Sequence, residues 1–165
     1  MISVRDVDEL RAIVIAMSRL RRDVRNDINR ATRATLAPAW QGEVKERATG
    51  PMDRRVLDAG TRLKPGNPPV LQAAQSRRGI GKSKRLKPST EWYAWEFGAD
   101  REKYETYTRK GHKVTRRAQR QLPTRYRKGR VIYPAAANII PRAAALWVQL
   151  VVRKVHEAAE GRTWP

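Results

Sequence analysis

The sequence contains no cysteine, and only two of its 165 residues are histidines. Without cysteine the chain has no disulfide framework, no thiolate zinc site and no cysteine nucleophile. His112 and His156 lie far apart in the sequence, and a metal site or a histidine base would need partners that the sequence does not place beside them. We therefore expect no metal and no cofactor.

Acidic residues are also scarce. The chain has 16 Asp and Glu against 36 Lys and Arg, which gives a formal net charge of +20. No carboxylate occurs in 59–90 or in 106–156. One basic run is most simply a solvated surface, but two acid-free segments favour an anionic partner, either nucleic acid or an acidic protein surface.

Long apolar runs are missing as well. No stretch reaches the roughly 18 apolar residues of a transmembrane helix, and the early Asp6 and Asp8 do not fit a signal peptide. We expect no membrane association. The length fits a single domain, 1–165, whose 40% hydrophobic residues can form a core.

Hydrophobic spacing predicts an α+β fold, in which a long N-terminal helix and a C-terminal helix pack on a small antiparallel sheet with extended basic loops. The N-terminal helical region covers 3–49. It consists of one helix over 3–36, with Ser3 and Asp6 as a capping box, which Pro38 kinks or restarts. The C-terminal helical region covers 134–160, and Pro141 kinks or restarts it.

The sheet is expected within 61–133, interrupted by basic loops at 76–90 and 109–130. A hairpin tip is predicted at 110–112. A short helix is also expected just before the sheet, over 52–59. The predicted strands are 61–63, 70–74, 91–97, 104–108, 113–117 and 131–133.

The most aromatic of these strands is the run EWYAWEFGA, residues 91–99. Its alternation of residue types predicts a strand with two different faces, ended by a glycine. The residues assigned to this structural strand are Tyr93, Trp95, Glu96, Phe97 and Gly98. Its aromatic side chains are expected to form the core. The alternative is a base-stacking platform made of Trp92, Tyr93 and Trp95.

Two groups of cations are candidates for contacts with DNA in a channel or with a partner. Contacts with phosphates would be independent of base sequence and would weaken with salt. The first group is Arg77, Arg78, Lys82, Lys84, Arg85 and Lys87. The second group is Arg116, Arg117, Arg120, Arg125, Arg127, Lys128 and Arg130.

No pattern indicates catalysis, and we expect no enzyme. Glu91 and Glu96 are five residues apart, so on a strand they would face opposite sides and could not act as a pair. Gly79–Ser83 resembles the end of a phosphate-binding loop, but Ser76 stands where that motif needs its first glycine. No nucleophile stands beside a base.

The apolar stripe of the C-terminal helix is wider than one sheet face requires. We expect the helix to be buried from two sides, either by a neighbouring subunit or by core packing within one chain. The residues predicted to pack between subunits are Leu146, Trp147, Leu150 and Val151.

The order of these elements resembles the small neck proteins of long-tailed bacteriophages, the tail-completion or head–tail joining family. A long charged N-terminal helix comes first. YAWEFG, residues 93–98, is similar to the family's central strand signature. Tyr133-Pro134-Ala135, with Pro141-Arg142 after it, is similar to the family's entry into the last helix.

The resemblance implies a structural virion protein without catalytic residues. Such a protein forms a homo-oligomeric ring, expected to be a hexamer, in the virion at the head–tail junction, after synthesis in the host cytoplasm. Its expected partners are the phage connector or stopper on one side and the tail terminator or tail tube on the other. Non-specific contact with packaged DNA is expected too. The alternative is a basic nucleic-acid-binding protein with phosphate-contacting loops and an aromatic strand.

Overall fold

The protein, seen here as a computed structural model, has an α+β fold with long N- and C-terminal helices and a small set of antiparallel strands. The structure describes residues 7–82, 84, 86–119 and 121–160, with side chains from residue 11 onward. The elements are α1 (Val7–Arg19), α2 (Arg22–Arg47), α3 (Pro51–Val56), β1 (Arg62–Lys64), β2 (Val70–Gln72), α4 (Pro88–Phe97), β3 (Tyr104–Arg109), β4 (His112–Arg117) and α5 (Ile132–Ala159).

The contacts divide the chain into two compact units. Unit 1 comprises Met1–Glu43, Thr61–Gln72 and Ala135–Pro165. Unit 2 comprises Val44–Gly60 and Ala73–Pro134. That the whole chain is one domain stays a prediction, and each unit is described by itself.

The predicted helix over 3–36 is two helices, because α1 ends at Arg19 and α2 begins at Arg22. Apolar residues keep their three- and four-residue steps across this break, so periodicity did not reveal it. Of the two outcomes predicted at Pro38, a kink or a restart, the restart was wrong, since α2 continues through this proline to Arg47. Leu36 and Trp40 are buried on either side of it, and their packing offsets the lost backbone hydrogen bond. Ser3 and Asp6 lie outside the described residues.

The core of unit 1 consists of two apolar clusters. In the first, Met17 and Ile28 pack with Trp147 and Val151 of α5. The second cluster joins Leu36 of α2, Leu63 of β1 and Ala143 of α5. The antiparallel β1–β2 hairpin is attached to the helices by side-chain bonds, since the Trp40 indole N–H donates to the Gln72 carbonyl at 2.9 Å.

This core accounts for much of the stripe that we predicted to lie between subunits. Trp147 and Val151 are 2% exposed because residues of their own chain bury them. No neighbouring subunit is needed to cover these two side chains. Leu146 is half-buried against the second cluster, and Leu150 is half-buried. Core packing within one chain is therefore the better interpretation for Trp147 and Val151.

Helix α5 is longer than predicted. The strand expected at 131–133 was wrong because α5 already begins at Ile132, and Pro141 lies inside it. By length and composition α5 could cross a membrane, with a mean hydropathy of 1.4 over its most apolar window. The expectation that no segment reaches this threshold was therefore wrong. A core helix of a soluble protein meets the same criterion, and one face of α5 is buried in unit 1.

Unit 2 contains α3, α4 and the β3–β4 hairpin. Strands β3 and β4 pair antiparallel from Tyr104↔Arg117 to Arg109↔His112, close to the predicted boundaries. The single predicted sheet is, within the described ranges, two separate two-stranded sheets, β1–β2 and β3–β4. The main reason is that the aromatic segment between them is helical.

Candidate interaction site: the α4 junction and the basic face of unit 2

The aromatic run that we predicted as a strand is helix α4, Pro88–Phe97. This correction applies to Tyr93, Trp95, Glu96 and Phe97, which lie in the helix, and to Gly98, which caps it. Pro88 stands in the first turn, where its missing N–H costs no hydrogen bond. Glu91 places a negative charge near the helix N-terminus, where the dipole favours it. These starting signals were present in the sequence, and the alternation of aromatic residues concealed them.

Glu96 is the buried charge at the centre of unit 2, with 0% exposure. Its carboxylate accepts hydrogen bonds from the backbone N–H of Val131, at 3.1 and 3.2 Å, and of Tyr133, at 3.0 Å. These groups belong to the start of α5, whose first N–H groups lack partners within the helix. Glu96 of α4 therefore caps α5 from a position 35 residues earlier in the chain.

Two glycines make this junction possible. A Cβ at Gly129 would lie 2.5 Å from the Glu96 carboxylate, and the backbone there has a φ of +78°. A Cβ at Gly98, where φ is +66°, would lie 2.4 Å from the carbonyl oxygen of Thr124. Hydrogen bonds hold the same segment, because Ala99 N–H donates to the Pro123 carbonyl at 2.9 Å. The chain can pass this close to α4 only where side chains are absent.

Aromatic contacts join the two segments whose residues resemble the neck family. The rings of Phe97 and Tyr133 meet edge to face with centroids 5.1 Å apart. Trp92 stacks on Tyr133 at 6.5 Å and tilts against Phe97 at 6.3 Å. Together with the Glu96 cap, these contacts join YAWEFG to Tyr133 in one junction.

Asp53 is a second buried carboxylate of unit 2 and links three segments. It accepts hydrogen bonds from the Trp95 indole N–H at 2.7 Å, the Gly50 backbone N–H at 3.2 Å and the Arg130 guanidinium at 3.3 Å. Trp95 is therefore engaged in packing between α3 and α4. Its contacts and those of Trp92 account for both side chains without a nucleic acid, which weighs against the base-stacking platform.

The predicted contact cations fall into three groups. Arg85 and Arg120 lie outside the described residues. Arg130 is directed to Asp53, with 32% of its side chain exposed, and this ion pair gives it a structural role. The remaining ten are exposed and all belong to unit 2: Arg77, Arg78, Lys82, Lys84, Lys87, Arg116, Arg117, Arg125, Arg127 and Lys128. Unit 2 as a whole carries 22 of the 36 Lys and Arg but only 8 of the 16 Asp and Glu.

Two of these arginines are held by tyrosines on the β3–β4 hairpin. The Arg116 guanidinium lies over the Tyr107 ring, 5.0 Å from its centroid. Arg117 lies 5.6 Å from the Tyr104 centroid and donates a hydrogen bond to its hydroxyl at 3.0 Å. This hydrogen bond raises the already high pKa of Arg117. Tyr107 and Tyr104 therefore orient both arginines before any partner arrives.

A groove of about 820 Å³ opens at the base of this hairpin. Its apolar wall includes Met52, Leu86 and Trp95, and its polar wall includes Arg116 and Arg117. The alternation of β3 and β4 in the sequence indicated the hairpin, but the contribution of Met52 and Leu86 depends on tertiary contacts that no local pattern reveals.

Within the part of the chain that the structure describes, no cluster of three or more His, Asp or Glu side chains could hold a metal ion. No model of a protein family, no curated protein and no solved structure matches this chain. The similarity to phage neck proteins therefore depends on the short motifs quoted above, and the first of these, YAWEFG, lies in helix α4 and its cap here, not in a central strand.

Proposed function

We propose that this chain is a structural protein of the neck of a long-tailed bacteriophage, where copies form a ring between the connector on the head side and the tail. The observation that carries the proposal is the junction built by Glu96. It connects the two motifs that resemble the family, because the carboxylate accepts hydrogen bonds from Val131 and Tyr133. The motif residues therefore stabilise the fold through these hydrogen bonds, as we expect of a protein that acts by assembly.

An apolar groove in unit 1 supports the assembly part of the proposal. It has a volume of about 410 Å³ and is formed by residues of α1, α2, β1, the turn before β2, β2 and α5. Val70 on its edge is 48% exposed. Apolar surface that remains accessible to solvent commonly marks a protein interaction site. In a ring this groove would be covered by the neighbouring copy.

Light scattering on nuclease-treated protein, at low and high salt, tests the ring. We expect one assembly of several copies with the same mass at both salt concentrations, because its contacts are largely apolar. Mass spectrometry of purified virions should then detect the protein in the particle. A monomer that is absent from virions contradicts the proposal.

A charge placed at the groove tests which surface joins the copies. Val70→Asp should dissociate the ring, since an unpaired carboxylate would be buried at the contact. Ala34→Asp is the matched control, because it adds the same charge at another exposed position of unit 1, outside the groove lining. Equal dissociation by both variants would show that added charge, and not the groove, is responsible.

The apolar character of α5 also requires a control for membrane binding. Flotation with lipid vesicles should leave the protein in the unbound fraction. Co-flotation of the folded protein would favour a membrane-associated function over the neck.

A further inference from the structure

The β3–β4 hairpin, residues 104–117, is exposed to an unusual degree, and we call it the ribbon. Only Tyr107 and Val114 on its two strands are half-buried, and every other strand residue is exposed. A two-stranded hairpin with both faces exposed is marginally stable by itself. Because most of its strand residues are exposed, a partner can contact the hairpin on either face.

The composition of the ribbon indicates the chemistry of that partner. It carries five cations and one carboxylate, Glu105. Its cations are Arg109, Lys110, Lys113, Arg116 and Arg117. Protein interfaces are enriched in arginine and tyrosine, which the ribbon also carries, but a five-to-one excess of cations over carboxylates is the composition that binds phosphates. The ribbon therefore suits a polyanion better than a protein surface.

The register of the ribbon distributes the cations over both faces. Tyr104↔Arg117 and Thr108↔Lys113 lie on one face, and Glu105↔Arg116 and Arg109↔His112 lie on the other. The tip at Lys110 is a tight turn with a φ of +52°. An element with cations on both faces can approach two rows of negative charge at once.

Double-stranded DNA offers such an arrangement. Its major groove is about 12 Å wide and admits a two-stranded ribbon, with phosphates along both edges. Six residues per strand give the ribbon a length of about 20 Å at roughly 3.4 Å per residue. That length is enough to enter the groove while the base of the hairpin stays with unit 2.

We propose that the β3–β4 ribbon binds double-stranded DNA by entering its major groove, with its cations on the flanking phosphates. Arg116 and Arg117 are oriented by Tyr107 and Tyr104, so they lose less side-chain freedom when they bind. The contacts are to phosphates, so binding is independent of base sequence. This inference goes beyond the neck proposal and does not depend on a ring.

Fluorescence anisotropy with a labelled DNA duplex at several salt concentrations tests the ribbon. The wild-type protein should bind with an affinity that falls steeply with salt. The variant Arg109→Gln/Lys110→Gln/Lys113→Gln removes three charges from the ribbon and leaves the tyrosine-held arginines in place. It should reduce the log–log salt slope by about 2.7, at 0.9 per phosphate contact.

The matched control is Arg11→Gln/Arg25→Gln/Arg33→Gln, which removes the same charge from exposed positions of unit 1. Its slope should stay within about 1 of the wild-type value. Circular dichroism on both variants establishes that they are folded. Equal losses in the two variants would mean that net charge alone attracts DNA, which overturns the proposal, and so would a wild-type protein that does not bind the duplex.

Competition experiments identify the groove and the class of partner. Methyl green, which occupies the major groove, should displace the protein, and netropsin, which occupies the minor groove, should not. The reverse result overturns the proposal. Poly-L-glutamate that competes as well as DNA, and loses its effect in the ribbon variant, would assign the ribbon to an acidic protein instead. A monomeric protein can give the expected result, so the neck and ribbon proposals fail separately.

Discussion

At the scale of single residues, the most consequential side chain is Glu96. A buried carboxylate is costly unless donors surround it. Here the donors are backbone N–H groups of Val131 and Tyr133 at the start of α5, where the helix dipole also favours a negative charge. The sequence predicted Glu96 as part of a structural strand, whereas in the structure it is an N-terminal cap supplied by another helix.

Replacement of this carboxylate should be severely destabilising. Glu96→Ala leaves the buried N–H of Val131 and the partly buried N–H of Tyr133 without an acceptor, and hydrogen bonds to charged groups contribute roughly 1.5–3 kcal/mol each. We expect the free energy of unfolding in urea to fall by about 3 kcal/mol. Tyr93→Ala on the same helix is the control, because Tyr93 is 54% exposed and its loss should cost less than about 1 kcal/mol. Similar costs for the two variants would contradict the capping role.

Gly98 permits a second prediction at this scale. Its φ of +66° with ψ of −168° is a conformation that only glycine adopts easily, and a Cβ would clash with Thr124. Gly98→Ala should therefore lower the unfolding free energy by at least about 2 kcal/mol.

Gly42 is the control position, because its replacement by alanine should raise, not lower, the free energy of unfolding. It lies inside α2, and a methyl group on its Cα would have no neighbour within 4 Å among the described residues. Gly42→Ala should stabilise the protein by roughly 0.5–1 kcal/mol, because alanine favours the helix. Chemical denaturation measures both variants, and a neutral Gly98→Ala would contradict the close approach of chain and helix.

At the scale of elements, Asp53 connects α3, α4 and the segment that leads into α5. The carboxylate is buried and accepts from Trp95 and Arg130 as well as from Gly50. Arg130 was predicted as a partner contact because it ends a basic run. In the structure it belongs to the packing of unit 2, and its removal should affect stability first.

Arg130→Ala tests this assignment. The variant leaves Asp53 buried with one partner fewer, so thermal or urea unfolding should show a loss of about 2 kcal/mol. Arg127→Ala removes a nearby exposed arginine and should change stability by less than about 0.5 kcal/mol. If neither variant changed the free energy of unfolding, the Arg130–Asp53 ion pair would make no contribution to stability.

The elements also show what local sequence patterns can predict. The two hairpins and the long terminal helices follow from alternation, turn glycines and apolar spacing, and the α+β class was confirmed. Helix α4 was missed because six consecutive residues that include four aromatics satisfy a strand pattern as well as a helical one. Pro88 at its start was the discriminating signal.

The junction around α4 could not be predicted in the same way. Glu96 and Val131 are 35 residues apart, and nothing in either segment indicates the other as a partner. The same holds for Trp95 and Asp53, which are 42 residues apart. Sequence patterns predict which face of a helix or strand is buried. The donors to a buried carboxylate are determined by tertiary contacts, which those patterns do not contain.

At the scale of the whole molecule, the dominant property is the net charge of +20. Several ion pairs in the described residues are exposed, such as Arg21–Asp23 and Arg30–Asp27, and exposed pairs contribute little. The many exposed cations of unit 2 produce mutual repulsion. An anionic partner would relieve it, and so would salt.

This repulsion predicts that salt stabilises the free protein. The Debye length shortens from about 30 Å at 0.01 M to about 8 Å at 0.15 M, so the midpoint of thermal unfolding should rise by several degrees over this range. The ribbon and unit 1 triple variants described above should both unfold at higher temperature than the wild type at low salt, and both should respond less to added salt. A midpoint that falls as salt is added would mean that ion pairs such as Arg130–Asp53 outweigh the repulsion. In that case the excess of cations is already balanced within the fold, and the charge would no longer argue for an anionic partner.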